Sequence, residues 1–241
     1  MTLIRKEKGN KLTAMMQVRN EGNRYLRMVL DDLSQYVDAI VILDDGSTDD
    51  TVAICKSYPK VVSIGHSHTS MYGINESALK KRLFQRTIAT FPDWILAIDA
   101  DEILENRAKT QIQGMINQKH TDWYGFRFYH FWKSMTHYRT DKLWAPVHYG
   151  PRLFRYMPGA VYRWNDQALH GGSLPCNLVT DFPGAPSDLR IKHYGYAGSQ
   201  EELQRKYDFY VQRDPHSEFC PRSHYDSILD QDPVLEPWEE S

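Results

Sequence analysis

Asp99, Asp101 and Glu102 follow the apolar run WILAI (94–98) almost at once. Two other polar clusters are placed in the same way. Val18-Arg19-Asn20-Glu21 closes the run LTAMMQV, and DDGSTDD (44–50) closes AIVIL. Carboxylates delivered to one point repel each other, so one must hold a proton unless a cation lies between them. Oxygen ligands suit hard ions such as Mg²⁺ or Mn²⁺, which keep water and bridge to phosphates. On extended backbone Asp99 and Asp101 point to the same side, with Cα atoms roughly 7 Å apart. A plainer alternative is also open: acidic residues are favoured at a helix start, so Asp99 to Glu102 would cap a following helix. DDGSTDD has a similar plain reading, as a turn and helix cap.

The elements that must position these groups can be read from periodicity. LTAMMQV (12–18), AIVIL (39–43), KVVSIG (60–65) and WILAI are strand-like runs. Leu26, Val29, Leu30 and Leu33 recur at helical spacing, and 76–90 reads as a second helix. Ser47 with Asp50 is a candidate cap for a helix between them. The βαβαβαβ order predicts an α/β fold with a mostly parallel sheet flanked by helices. In such a sheet, ligands bind beyond the carboxyl ends of the strands, where the three polar clusters fall.

The second half predicts a smaller mixed β region. WYGFRFYHFW (123–132) is an aromatic strand, while PRLFRYM and AVYRW read as shorter strands split by Pro158 and Gly159. A looser stretch spans 171–188. DLRIKHYGY then leads into a helix from Ser199, with Glu202 completing a capping box, and a proline-bearing tail begins at Asp214. The expected organisation is a single unit over 1–241, with halves at 1–105 and 106–214 and a C-terminal strap at 215–241.

With 241 residues, 41% hydrophobic, the chain can bury a sizeable core. A net charge of -2 gives no strong sign of general nucleic-acid binding. No apolar run reaches the length of a membrane span, the first residues carry no signal-peptide core, and Cys55, Cys176 and Cys220 form neither a disulfide framework nor a zinc pattern. The expectation is a cytoplasmic protein.

QVRNEGNRYL, IVILDDGSTDDT and WILAIDADEIL together resemble the opening half of a family 2 glycosyltransferase with the GT-A fold. The likeness runs on through GPRLFRYMPG, ALHGG and IKHYGY. It implies a Rossmann-like nucleotide-sugar-binding half at 1–105 and an acceptor-side half at 106–214, a nucleotide-diphosphate donor (UDP above all), a hydroxyl-bearing acceptor of unknown class, inversion, and Mn²⁺ or Mg²⁺. It implies further that Val18, Arg19 and Glu21 hold base and ribose, and that Asp45 bonds the uracil edge. Arg82 would face the nucleotide. Asp101 would ligate the metal, Asp99 would reach ribose or metal, and His193 would approach metal or diphosphate. Arg152, Arg205 and Lys206 are candidates for phosphate contact.

Transfer to a hydroxyl needs a general base near the acceptor oxygen. RWNDQALHGG offers Asp166 and His170, and Gly171 stands where relatives have Glu after His. Either residue is a candidate, the imidazole because its ordinary pKa lies near 6.5. His66, His68, His130, His137 and His148 read as packed or exposed rings. Two other classes remain open: a nucleotidyltransferase making a nucleotide-sugar, and a nucleotide- or sugar-binding module without catalysis.

Overall fold

The computed structural model describes residues 5–241. Four parallel strands, β1 (Leu12–Val18), β2 (Ala39–Asp44), β3 (Val61–His66) and β4 (Trp94–Ala97), lie in the order β4-β1-β2-β3. Every residue of β2 and β4 is buried, as unbroken apolar runs require when helices cover both faces. The stripe Leu26, Val29, Leu30 and Leu33 is fully buried on α1 (Leu26–Leu33). Short α2 (Thr51–Lys56) and longer α3 (Glu76–Ile88) complete this half.

The second half extends the same sheet. β6 (Trp123–Trp132) and β8 (Tyr149–Arg155) run antiparallel, with β8 also antiparallel to β4. β9 (Gly184–Tyr196) lies parallel to β6 and antiparallel to β5 (Glu102–Leu104). β7 (His137–Arg139) and β10 (Leu235–Pro237) form the far edge, giving β10-β7-β6-β8-β4-β1-β2-β3. Helices α4 (Ala108–Ile116), α5 (Leu178–Asp181), α6 (Gln200–Arg213) and α7 (Arg222–Asp226) fill the connections. The tail is strapped down by Trp238, whose ring lies 4.0 Å from the Arg190 guanidinium, and by Glu240 bonded to Lys192.

Three local expectations change. First, β4 stops at Ala97, and Asp99 to Glu102 form a tight turn in which the Glu102 N–H donates to the Asp99 carbonyl at 3.1 Å. Asp99 and Asp101 therefore do not continue the β4 strand, and none of the three acids caps a helix, because the next element is β5, which Glu102 opens. Second, AVYRW is irregular. The Asn177 side chain takes the Arg163 N–H (2.7 Å) and donates to the Val161 carbonyl (2.9 Å), so these backbone groups are satisfied without a partner strand. Third, Asp49, rather than Ser47 or Asp50, accepts the first N–H of α2 at 3.0 Å, while Ser47 accepts from Asn20 at 2.9 Å. The expected capping box of α6, Ser199 with Glu202, is present.

Candidate active site

A cleft of about 560 Å³ opens at the carboxyl ends of β1 and β4. One wall comes from β1 and its loop (Val18, Arg19, Glu21) with Arg24, and the floor from the Asp99–Asp101 turn. α3 contributes Glu76 and Lys80, β9 contributes His193, Gly195 and Tyr196, and α6 closes the far side with Arg205, Lys206, Phe209 and Tyr210.

The two aspartates of the turn have opposite surroundings. Asp99 bonds Lys80 Nζ at 3.1 Å and lies 3.6 Å from Arg152. Burial opposes its ionisation, but Lys80 and Arg152 overcome that and hold the carboxyl well below the usual range. Arg152 also bonds Glu102 at 2.7 Å, and Glu102 accepts the Asp99 N–H at 3.0 Å. Asp99 is thus engaged by cations of the protein. Asp101 faces the cleft, and burial raises its pKa against the pull of Lys206.

His193 Nε2 lies 3.7 Å from Asp101 Oδ2. The register of β5 against β9 explains the meeting, since Glu102 pairs with His193. The other His193 nitrogen, Nδ1, lies 2.7 Å from Nδ1 of His130 on β6. One ring must donate and the other accept. Burial lowers the pKa of both, His193 to about 3 with Lys206 adding to the effect. A neutral His193 with its proton on Nδ1, given to His130, presents the Nε2 lone pair to the cleft.

Gly195 completes the arrangement. A Cβ there would lie 2.6 Å from His193 Nε2, 2.8 Å from Asp101 Oδ2 and 2.8 Å from Lys206 Nζ. Absence of a side chain lets imidazole, carboxylate and ammonium converge on one point. Lys206 is held by the Gly195 carbonyl at 2.8 Å and lies 4.0 Å over the Tyr196 ring. Among the described residues no three acidic, histidine or cysteine side chains form a ready metal cage. Asp101 with His193 nevertheless fits a hard divalent ion that takes its other ligands from water and phosphate. The imidazole is already oriented by His130 on its far nitrogen, as metal-bound histidines require.

Several expected residues lie elsewhere. Asp45 is fully buried, and its carboxylate accepts from Ser70 Oγ (2.7 Å), Met71 N–H (2.9 Å) and Tyr72 N–H (3.1 Å). Arg82 donates to Ser67 Oγ (2.8 Å) and the His66 carbonyl (2.9 Å), and His66 bonds Asp44 at 2.6 Å. Neither Asp45 nor Arg82 lines the cleft. Together with Asp44 they hold the loop after β3, which brings Tyr72 to the cleft wall, stacked 5.5 Å from Phe209. Asp166 is exposed on the irregular segment and does not line the cleft. His170 pairs with the Tyr225 hydroxyl at 3.2 Å, and it too is outside the lining.

Sequence reasoning missed Lys80, Glu76 and Tyr72. Lys80 had a signal: with Ser77, Phe84 and Thr87 it recurs at helical spacing on the buried face of α3, where a lysine needs a partner. Glu76 lies one turn before it and shares its face.

The sequence profile described as Glycosyl transferase family 2 matches residues 13–173. An uncharacterized protein of Mycobacterium tuberculosis is 27% identical over 237 residues, covering 91% of this chain and 54% of the relative. The chain therefore spans about half the length of that relative. An uncharacterized glycosyltransferase of Rickettsia felis is 26% identical over 205 residues, covering 83% of this chain and 67% of the relative. Among solved structures, S. aureus TarS 1–349 in complex with UDP is similar at a TM-score of 0.50 and 16% identity, over 91% of this chain and 69% of that one. That likeness concerns the fold, and it agrees with the GT-A architecture of a mostly parallel sheet continued by a mixed β region. No helix of the described residues is long and apolar enough to cross a membrane. With its profile match spanning well over half of the sequence, the chain belongs to glycosyl transferase family 2.

Proposed function

We propose that the protein transfers a sugar from a nucleoside-diphosphate donor, UDP-linked, to a hydroxyl acceptor, with inversion and with a divalent cation. The observation that carries this reading is the convergence of Asp101, His193 and Lys206 around Gly195 at the end of β4. Such a point suits a diphosphate, whose charge grows as the glycosidic bond breaks. Lys206, Arg24 and Arg205 line the same cleft and supply fixed positive charge. Asp101 and His193 would hold Mn²⁺ or Mg²⁺, which as a Lewis acid stabilises the leaving diphosphate. Val18, Arg19 and Glu21 would carry the nucleoside. UDP is carried over from TarS, which was crystallised with it.

In this account Asp99 is a positioning group. Held by Lys80 and Arg152, it fixes the turn that presents Asp101. Asp45 acts in the same indirect way, by anchoring the loop that supplies Tyr72. Calorimetric titration of UDP, GDP, CDP and TDP, with and without Mn²⁺, tests the proposal. UDP should bind with metal and exceed the other three. Absence of binding by every diphosphate, or preference for a nucleoside triphosphate with pyrophosphate exchange, would overturn it.

A further inference from the structure

Five carboxylates line the cleft: Glu21, Glu76, Asp99, Asp101 and Glu202. Four have an assignment on geometric grounds. Asp99 is bonded to Lys80, and Asp101 faces His193. Glu202 accepts the Ser199 N–H at 2.8 Å in the capping box of α6. Glu21 lies 3.8 Å from Arg24, beside the end of β1. Unlike these four, Glu76 accepts no hydrogen bond through its carboxylate and has no lysine, arginine or histidine nitrogen within 4.0 Å of it among the described residues.

Nor does its own helix need that carboxylate as a cap. The first N–H groups of α3 are already satisfied, Glu76 by the Ala168 carbonyl (3.2 Å), Ser77 by Gln167 (3.3 Å) and Ala78 by the Asn75 side chain (2.9 Å). An acid in the first turn still gains from the helix dipole, by about 0.3–1 kcal/mol, which explains its tolerance but not its place in the cleft.

The same contacts account for Gly171. Docking of 167–171 on α3 brings residue 171 so close that a Cβ would lie 2.5 Å from Ser77 Oγ. A carboxylate after His170 has no room there, while the adjacent Glu76 lines the cleft. One turn further, Lys80 reaches Asp99 at 3.1 Å, so Glu76 lies on the helix face that meets the catalytic turn.

Resting on the glycosyltransferase reading, we infer that Glu76 is the general base of the transfer. Its carboxylate takes the proton of the acceptor hydroxyl as that oxygen bonds to the donor C1. The C1–O bond to the diphosphate breaks, and its electron pair leaves with UDP. Asp166 and His170 are then not needed for proton transfer.

The test compares wild type, Glu76→Gln and Glu76→Asp in two assays. One is calorimetric binding of UDP with Mn²⁺. The other is UDP release from UDP-glucose and UDP-N-acetylglucosamine across a pH series, with water alone and with glycerol as hydroxyl probe. Glu76→Gln should bind UDP as wild type does, lose about 10²- to 10⁴-fold in release, and lose the acidic limb of the pH profile. Glu76→Asp should recover part of the rate. Wild-type release by Glu76→Gln, or a parallel loss of UDP binding, would overturn the assignment. Wild type that binds no UDP would instead overturn the glycosyltransferase reading, and Glu76 with it.

Discussion

Replacing Gly195 with alanine isolates the geometry on which the account depends. Gly195 lies in β9 outside the left-handed region, so alanine brings no backbone strain there. Its Cβ would meet three side-chain ends, at 2.6 Å from His193 and 2.8 Å from Asp101 and Lys206, where ordinary contact begins at 3.4 Å. Each end must retreat by about 0.6–0.8 Å, a displacement of the order that costs up to about 10²-fold in rate when it misplaces a reacting group. All three are ends of side chains, so the crowding is relieved without moving the strand. Gly195→Ala should therefore lower kcat/KM for the donor by about 10²-fold and weaken UDP binding in Mn²⁺, while leaving Tm within a few degrees of wild type. Donor kinetics, calorimetry and thermal unfolding on one preparation separate these effects. Full activity in the variant would refute the convergence as a functional arrangement. A collapse of Tm would show that the glycine is there for packing.

Three further outcomes follow from the same geometry. His130→Phe keeps a ring among Trp144, Tyr196 and His193 but removes the partner of His193 Nδ1, and it should weaken Mn²⁺ binding in the presence of UDP by about 10–100-fold. His130→Asn, which keeps an acceptor, should recover part of that affinity, and ¹⁵N spectra of the imidazoles should report the lost tautomer preference. Asp45→Ala strips three hydrogen bonds from the loop after β3 and should cost on the order of 2 kcal/mol, with hydrogen exchange rising first at Met71 and Tyr72. Burial raises the Glu21 carboxyl from 4.5 to about 7, so the folded chain keeps a proton that the unfolded chain has lost. Stability should fall as pH rises from about 4.5 to about 7, by on the order of 3 kcal/mol, and Glu21→Gln should flatten that slope in urea melts across pH.

The succession of strands and helices in the first half and the stripe of α1 were legible because burial on both faces, or on one helical face, writes its period directly into the residues. The tight turn after β4 was not. Whether a chain stays extended past an apolar run depends on what its amides bond, and here Glu102 closes back on Asp99 while β5 finds β9, some 90 residues away. Side-chain direction was the second gap. Asp45 and Arg82 are in the expected segments, but both turn toward the loop that follows β3. Such non-local pairing leaves no periodic trace. His193 lies 3.7 Å from Asp101, and its other partner, His130, came from a strand 63 residues away and could only be found from register. AVYRW failed as a strand because Asn177 supplied the hydrogen bonds a neighbour strand would have given.

A crystal structure of the protein grown with UDP and Mn²⁺ tests the central claim most directly. The account predicts the diphosphate beside Lys206, the metal on Asp101 and His193, and the nucleoside along Val18, Arg19 and Glu21. A nucleotide bound away from the Gly195 cradle, or a diphosphate whose charge is met without Asp101, His193 or Lys206, would contradict it.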